Sequence, residues 1–274
     1  MIFSPEQVSA LRTLGRIWST ERFVLIGASA LRFLMGSQLR ETHDLDLALA
    51  VTLDGYRAGI EKESEWSRHP KREQTWIAPG DVQIDVIPLG DDQNPATVLR
   101  WPQSGFEMSL VGMRLAFAHS VTIEPVQNLT IRVAPLEVIA LLKMVAYLDR
   151  PSERDRDLAD IAYILDGYAK DFEDQRYGDE VIDLELTYDE VSPFLLGRRL
   201  AAIVNRQERE AILRFIGLVK QSGGAHAAQA RMLVSAPPGW RRDPEELLLR
   251  IAAFENGFSA TPAENFSDAP TTQT

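Results

Sequence analysis

The chain has 274 residues, 45% of them hydrophobic, and its 40 acidic side chains outnumber 29 basic ones to give a formal net charge of −11. That length and apolar content allow one large domain or two smaller ones, and two are expected. The charge excludes broad nonspecific nucleic-acid binding, which needs a basic surface, but leaves room for a local basic patch. No cysteine is present, which excludes disulfides and thiolate metal sites and fits a reducing cytoplasm. His43, His69, His119 and His226 have no zinc-ligand spacing. The start, Met1 to Glu6, lacks the run of a signal peptide, and no later stretch is apolar enough to span a bilayer. A soluble cytoplasmic protein with no membrane partner is therefore expected.

In chain order, Val8, Leu11, Leu14 and Ile17 recur at helical spacing behind Ser4-Pro5, a cap and first-turn pair. Phe23 to Ile26 reads as a buried strand. It ends at Gly27, and Ser29 stands at the expected N-cap of a short helix that stops at Gly36. Such a turn presents backbone N–H groups and a hydroxyl at a helix N-terminus, a natural phosphate cradle. The next strand carries Asp44 and Asp46. Residues two apart on a strand point the same way, so two carboxylates face one side while Leu45 and Leu47 enter the core. Like charges held side by side are best explained by a cation, and a hard ion such as Mg2+ takes oxygen ligands together with substrate phosphates.

Gly27-Ala28-Ser29-Ala30-Leu31 followed by Arg40-Glu41-Thr42-His43-Asp44-Leu45-Asp46-Leu47 resembles the Gly-Ser and Asp-x-Asp signature of the DNA polymerase β-like nucleotidyltransferase superfamily. The run Arg-x-Thr-x-Asp-Leu-Asp is most similar to the AbiEii-like group, the toxin half of toxin–antitoxin and phage-defence systems. The resemblance covers roughly the first three-fifths of the chain. It implies an α/β fold, a nucleotidyltransferase-type mixed sheet flanked by helices followed by a mainly helical second domain. It further implies Mg2+, two ions expected, a nucleoside triphosphate donor, an RNA acceptor such as a tRNA 3′ end, and a cognate antitoxin partner.

Farther along, residues 53–65 read as a helix, His69-Pro70-Lys71-Arg72 as a basic loop, and Thr75 to Ala78 as a strand. Asp81 to Ile87 alternates polar and apolar residues like a half-buried strand. The resembled superfamily draws a third carboxylate from a later strand of the same sheet, and Asp85 fits that position; Asp81 is the rival and is expected to start the strand. Val121 to Ile123 and Leu129 to Val133 look like a hairpin closing a catalytic domain over 1–134.

From Pro135 the period becomes helical through Leu136, Ile139, Leu142 and Val145, with Lys143 among them. A second helix runs from Arg154 to about Leu165 and places Asp157 and Asp160 on one face. This pair resembles the family's segment in which a lysine and an Arg/Lys-Asp-x-x-Asp run line the nucleotide, so Lys143 and Asp160 join Gly27 and Ser29 as nucleotide-binding candidates. The plainer readings are a lysine whose stem covers core and aspartates paired with Arg154 and Arg156.

Residues 135–258 are expected to form the mainly helical domain. Within it, 171–190 reads as an exposed acidic connection, and 193–221 as one long helix bearing Arg198, Arg199, Arg206, Arg209, Arg214 and Lys220. That helix and the His69 to Arg72 loop are the two places where RNA could dock; a solvated face is the ordinary reading of the helix. A last helix follows Asp243-Pro244, and 259–274 reads as a disordered tail. The expected activity is metal-dependent nucleotidyl transfer with Asp44, Asp46 and Asp85 as metal ligands. The alternatives are an aminoglycoside-type adenylyltransferase and a non-catalytic nucleotide- or partner-binding member of the fold.

Overall fold

The computed structural model describes residues 3–36, 42, 44–90, 97–171, 181, 184–221, 223, 227–240 and 243–260. The chain divides into two compact units, Met1–Tyr163 and Ile164–Thr274.

The first unit is built on seven strands: β1 (Phe23–Ile26), β2 (Leu45–Leu49), β3 (Ser67–Arg68), β4 (Thr75–Ala78), β5 (Val82–Pro88), and, after a separate two-stranded pair β6 (Val98–Arg100) and β7 (Glu107–Ser109), β8 (Val121–Val126) and β9 (Leu129–Val133). The sheet order is β3-β4-β5-β2-β1-β9-β8. It is mixed: β2 runs parallel to β5 and β1 parallel to β9, while the other neighbours are antiparallel. Its centre is apolar, since all four β1 residues are buried, and Leu45, Leu47 and Leu49 of β2 are buried around the half-buried Asp46. The expected 121–133 hairpin is present, turning at Asn128 in a left-handed conformation (φ 62°).

Helices flank the sheet. α1 (Pro5–Ile17) opens with a capping box in which Ser4 and Gln7 satisfy each other's backbone N–H groups, and it buries Leu11 and Leu14 completely. α2 (Gly27–Met35) follows β1 directly, and α3 (Leu53–Ile60) stops earlier than the expected 65. α4 (Met113–Ala118) precedes β8, and α5 (Leu136–Asp149) packs on α2 and α4. Pro135 is the cap of α5 rather than its first residue. α6 (Asp155–Gly167) begins in the first unit. The first unit extends to Tyr163: α5 packs against α2 and α4, and Lys143 on α5 is ion-paired to α6.

The second unit contains α7 (Tyr188–Ile203), α8 (Arg206–Lys220), α9 (Ala228–Val234) and α10 (Pro244–Ser259). The long helix expected over 193–221 is two helices. The break comes at Asn205, whose side chain accepts from the N–H groups of Gln207 and Glu208 while Glu208 accepts from Asn205 N–H at 2.7 Å, a capping box that starts α8 anew. α7 and α10 approach at Gly197 and Gly257, where a Cβ would run into the backbone of Phe254 and of Phe194 respectively, so glycine at both positions sets the spacing. Arg250 is buried beside Asp189 at 3.3 Å and over the Trp240 ring. The acidic connection at 172–180 and the tail from 261 lie outside the described residues.

Candidate active site

Strand register builds the site. Because β2 and β5 are parallel and Asp46 is paired with Asp85, the two carboxylates are cross-strand neighbours on one face of the sheet. On the other side of β2, Asp46 is paired with Ile26, the last residue of β1. On the other side of β5, Asp85 is paired with Thr75. One row across four strands thus reads Thr75, Asp85, Asp46, Ile26, and the turn into α2 begins at its end.

That turn is tied to Asp46. Gly27 has a left-handed backbone (φ 68°), and a Cβ there would collide with the Asp46 carboxylate. Only glycine gives this conformation at little cost and also leaves room for the carboxylate. Ala28 N–H donates to Asp46 Oδ2 at 3.3 Å. The helix starts at Gly27, with Ile26 as its cap, so Ser29 is not the N-cap but lies inside the first turn. Its Oγ is buried and has no hydrogen-bond partner among the described residues. A buried hydroxyl left without a partner is costly and stands out in a native fold.

Burial raises the Asp46 carboxyl to about 7, and the charges of Asp85 and Asp44 add to the effect against the opposing Lys143 ammonium and Ala28 N–H. Asp85 is also raised, again chiefly by burial; the Thr75 hydroxyl that donates to its Oδ1 and the Arg72 charge oppose the shift, Asp44 reinforces it, and Arg154 opposes it. Asp44, half-buried just before β2, therefore bears electrostatically on both partners. Asp81 is not in the strand: it sits in the Pro79 to Asp81 turn with a left-handed backbone (φ 58°).

This set suits a hard divalent cation. All the donors are carboxylate oxygens, and the mutual repulsion that lifts Asp46 is of the kind a cation relieves. Among the described residues no three acidic or histidine side chains are gathered into a ligand cluster. Arg40 and His43 lie outside the described residues.

Lys143 is buried, its ammonium 2.6 Å from Asp160 Oδ2 and 3.1 Å from Asp157 Oδ1, and Asp157 also lies 3.6 Å from Arg154. Burial alone would lower its pKa, but the Asp157 and Asp160 carboxylates outweigh that and hold it above the ordinary lysine value. Lys143 thus reaches both Asp157 and Asp160, while Asp157 also has Arg154, one of the partners that the plainer reading of the sequence gave the two aspartates.

A profile described as nucleotidyl transferase AbiEii toxin, type IV toxin–antitoxin system, matches residues 9–244. The chain belongs to the AbiEii family. It is thus a nucleotidyltransferase of a toxin–antitoxin system by family. No curated protein matches it by sequence. Among solved structures it is similar to an antigenic nucleotidyltransferase-like protein from Paracoccidioides brasiliensis (19% identity over 59% of this chain and 76% of that one, TM-score 0.39). It is also similar to a nucleotidyltransferase from H. pylori (11%, 93% and 96%, 0.34) and to the antibiotic-resistance factor ANT(2'')-Ia (13%, 64% and 88%, 0.35). None of these structural likenesses reaches a TM-score of 0.5, and none bears on the substrate.

Four groups in this AbiEii-family site escaped sequence reasoning: the Thr75 hydroxyl on Asp85, the Ala28 N–H on Asp46, and the Arg72 and Arg154 charges acting on Asp85. Thr75 was legible only as the start of a strand. Its partner follows from the β4–β5 register, which no local pattern encodes.

Proposed function

We propose that this protein transfers a nucleotidyl group from a nucleoside triphosphate to a hydroxyl of RNA, with a tRNA 3′ end as the leading acceptor. The acceptor oxygen forms a bond to the α-phosphorus as the bond to the β-phosphate breaks, and pyrophosphate leaves. The supporting observation is the Asp46–Asp85 pair in register beside the Gly27 turn. Asp44, Asp46 and Asp85 would hold Mg2+, two ions being the expectation; the chemistry supplied there is charge neutralisation at the entering and leaving oxygens. The unpartnered Ser29 Oγ and the N–H groups of the α2 N-terminus would orient the triphosphate. Thr75 donates to one oxygen of Asp85; the other would face the acceptor hydroxyl. Lys143, held by Asp157 and Asp160, lends positive charge to the Asp46 side of the site, and Asp160 positions it.

The test is to incubate the protein with each α-labelled triphosphate, Mg2+ and total RNA. Label in RNA that disappears with chelator supports the proposal. Label in a small aminoglycoside or in protein, with none in RNA, would contradict it. A type IV system also implies a cognate antitoxin as the cellular partner.

A further inference from the structure

A cleft of about 230 Å³ opens in the first unit, lined in part by Arg57, Arg68, Lys71, Arg72, Glu73 and Trp76. Its link to the site is Arg72. Trp76 shares the sheet face opposite Thr75 and Asp85, but the Arg72 guanidinium hydrogen-bonds Gln83, two residues before Asp85 on the same face, and its charge acts on Asp85. The lining holds four cations against one carboxylate in a chain whose net charge is −11.

Not all of those cations are committed. Arg68 is paired with Glu61 and lies over the Trp76 ring. Arg57 lies 3.8 Å from Glu73, whose carboxylate is already taken by the N–H groups of Gln103 and Ser104. The Arg72 guanidinium hydrogen-bonds the neutral Gln83, and neither it nor the exposed Lys71 makes an ion pair among the described residues. His69 caps the loop, its Nδ1 accepting from Lys71 and Arg72 N–H, which holds both residues toward one place. In the other basic segment Arg206 pairs with Glu210, Lys220 pairs with Glu255, and Arg209 lies over Phe258.

We propose that the cleft of Arg57, Arg68, Lys71 and Arg72 docks a phosphodiester of the acceptor RNA, holding the strand beside the Asp46–Asp85 pair. This rests on the RNA reading above. The charge complementarity is local, so binding is confined to one patch of an acidic protein and steers a strand toward the site.

The test measures affinity for labelled unfractionated tRNA across a potassium chloride series, for the wild type, Lys71→Glu and Arg114→Glu, alongside affinity for ATP with Mg2+. Arg114 is an exposed arginine outside the cleft, so it controls for the change in net charge. Lys71→Glu should weaken tRNA binding roughly tenfold and flatten the slope of log affinity against log salt by about 0.7–0.9. Arg114→Glu should do neither, and ATP affinity should hold in both. Unchanged tRNA binding by Lys71→Glu, or an equal loss in Arg114→Glu, overturns the docking cleft while leaving RNA as acceptor. Loss of ATP affinity with Lys71→Glu would assign the cleft to the donor's phosphates instead. No tRNA binding or labelling by the wild type, when another acceptor is labelled, would overturn the RNA reading itself.

Discussion

Asp46 and Asp85 are registered partners on parallel strands, so two carboxylates that lie 39 residues apart in the chain share one face of the sheet. Burial raises both acids, the Asp85 charge adds to it at Asp46, and the shift makes a prediction about stability. The Asp46 carboxyl is pushed up to about 7 in the fold from an ordinary value of 3.8. At pH 3 or below, both folded and unfolded chains carry the proton and the site costs nothing. Between about pH 4 and 7 the unfolded chain ionises first, so stability falls as pH rises, and above the folded value the cost is complete. By linkage this is on the order of 4 kcal/mol at most. Asp46→Asn should therefore stabilise the protein in chelator-treated buffer at pH 8 and lose that advantage near pH 4. Denaturant midpoints against pH for both proteins check it; parallel profiles would refute it.

Ser29 gives a test that separates folding from binding. Its hydroxyl bonds nothing among the described residues, so Ser29→Ala should leave stability within about 0.5 kcal/mol or raise it, unlike the loss of a helix cap. If the hydroxyl is for phosphate, triphosphate affinity should fall several-fold, about 1 kcal/mol, in calorimetric titration. Unchanged affinity would leave Ser29 without a role at the nucleotide.

Gly27→Ala meets two obstacles at once, a left-handed backbone and a collision with the Asp46 carboxylate. A loss of more than about 1 kcal/mol is expected from the backbone alone. Thermal denaturation should show it, and transfer should fall further than the residual folded fraction explains.

Much of this was legible in local pattern. The alternation of β2 and β5, the glycine stop after β1 and the hairpin at 121–133 are period-two and turn signals; they marked Asp44, Asp46 and Gly27, whereas Asp85 was singled out by the family resemblance. Reading Ser29 as a cap misplaced the helix start by three residues, because a glycine with a positive φ can open the helix itself. The helices α7 and α8 read as one because charge and apolar residues continue across the break, although Asn205 followed three residues later by Glu208 is a capping signature that could have divided them. The partners of Lys143 were hidden because they come from another helix, whereas sequence spacing favours arginines one turn away.

The Lys143 cluster predicts an asymmetry. Lys143→Met leaves Asp157 and Asp160 buried without their ammonium and should cost about 3–5 kcal/mol at neutral pH. In the wild type the pair's contribution persists until pH rises through the raised Lys143 value, above 10.5. Adding Asp157→Asn and Asp160→Asn should restore much of the stability. Chemical denaturation of the three proteins decides it; equal stability of single and triple variants would contradict the ion-pair account.

The central claim is that the paired carboxylates carry nucleotidyl transfer. It is tested most directly by the rate of transfer of α-labelled triphosphate to RNA, with Mg2+, in the wild type and in Asp44→Asn with Asp46→Asn. The account predicts a folded double variant, more stable than wild type in metal-free buffer above pH 7, with transfer reduced to background. Wild-type transfer rates in that folded variant would contradict it.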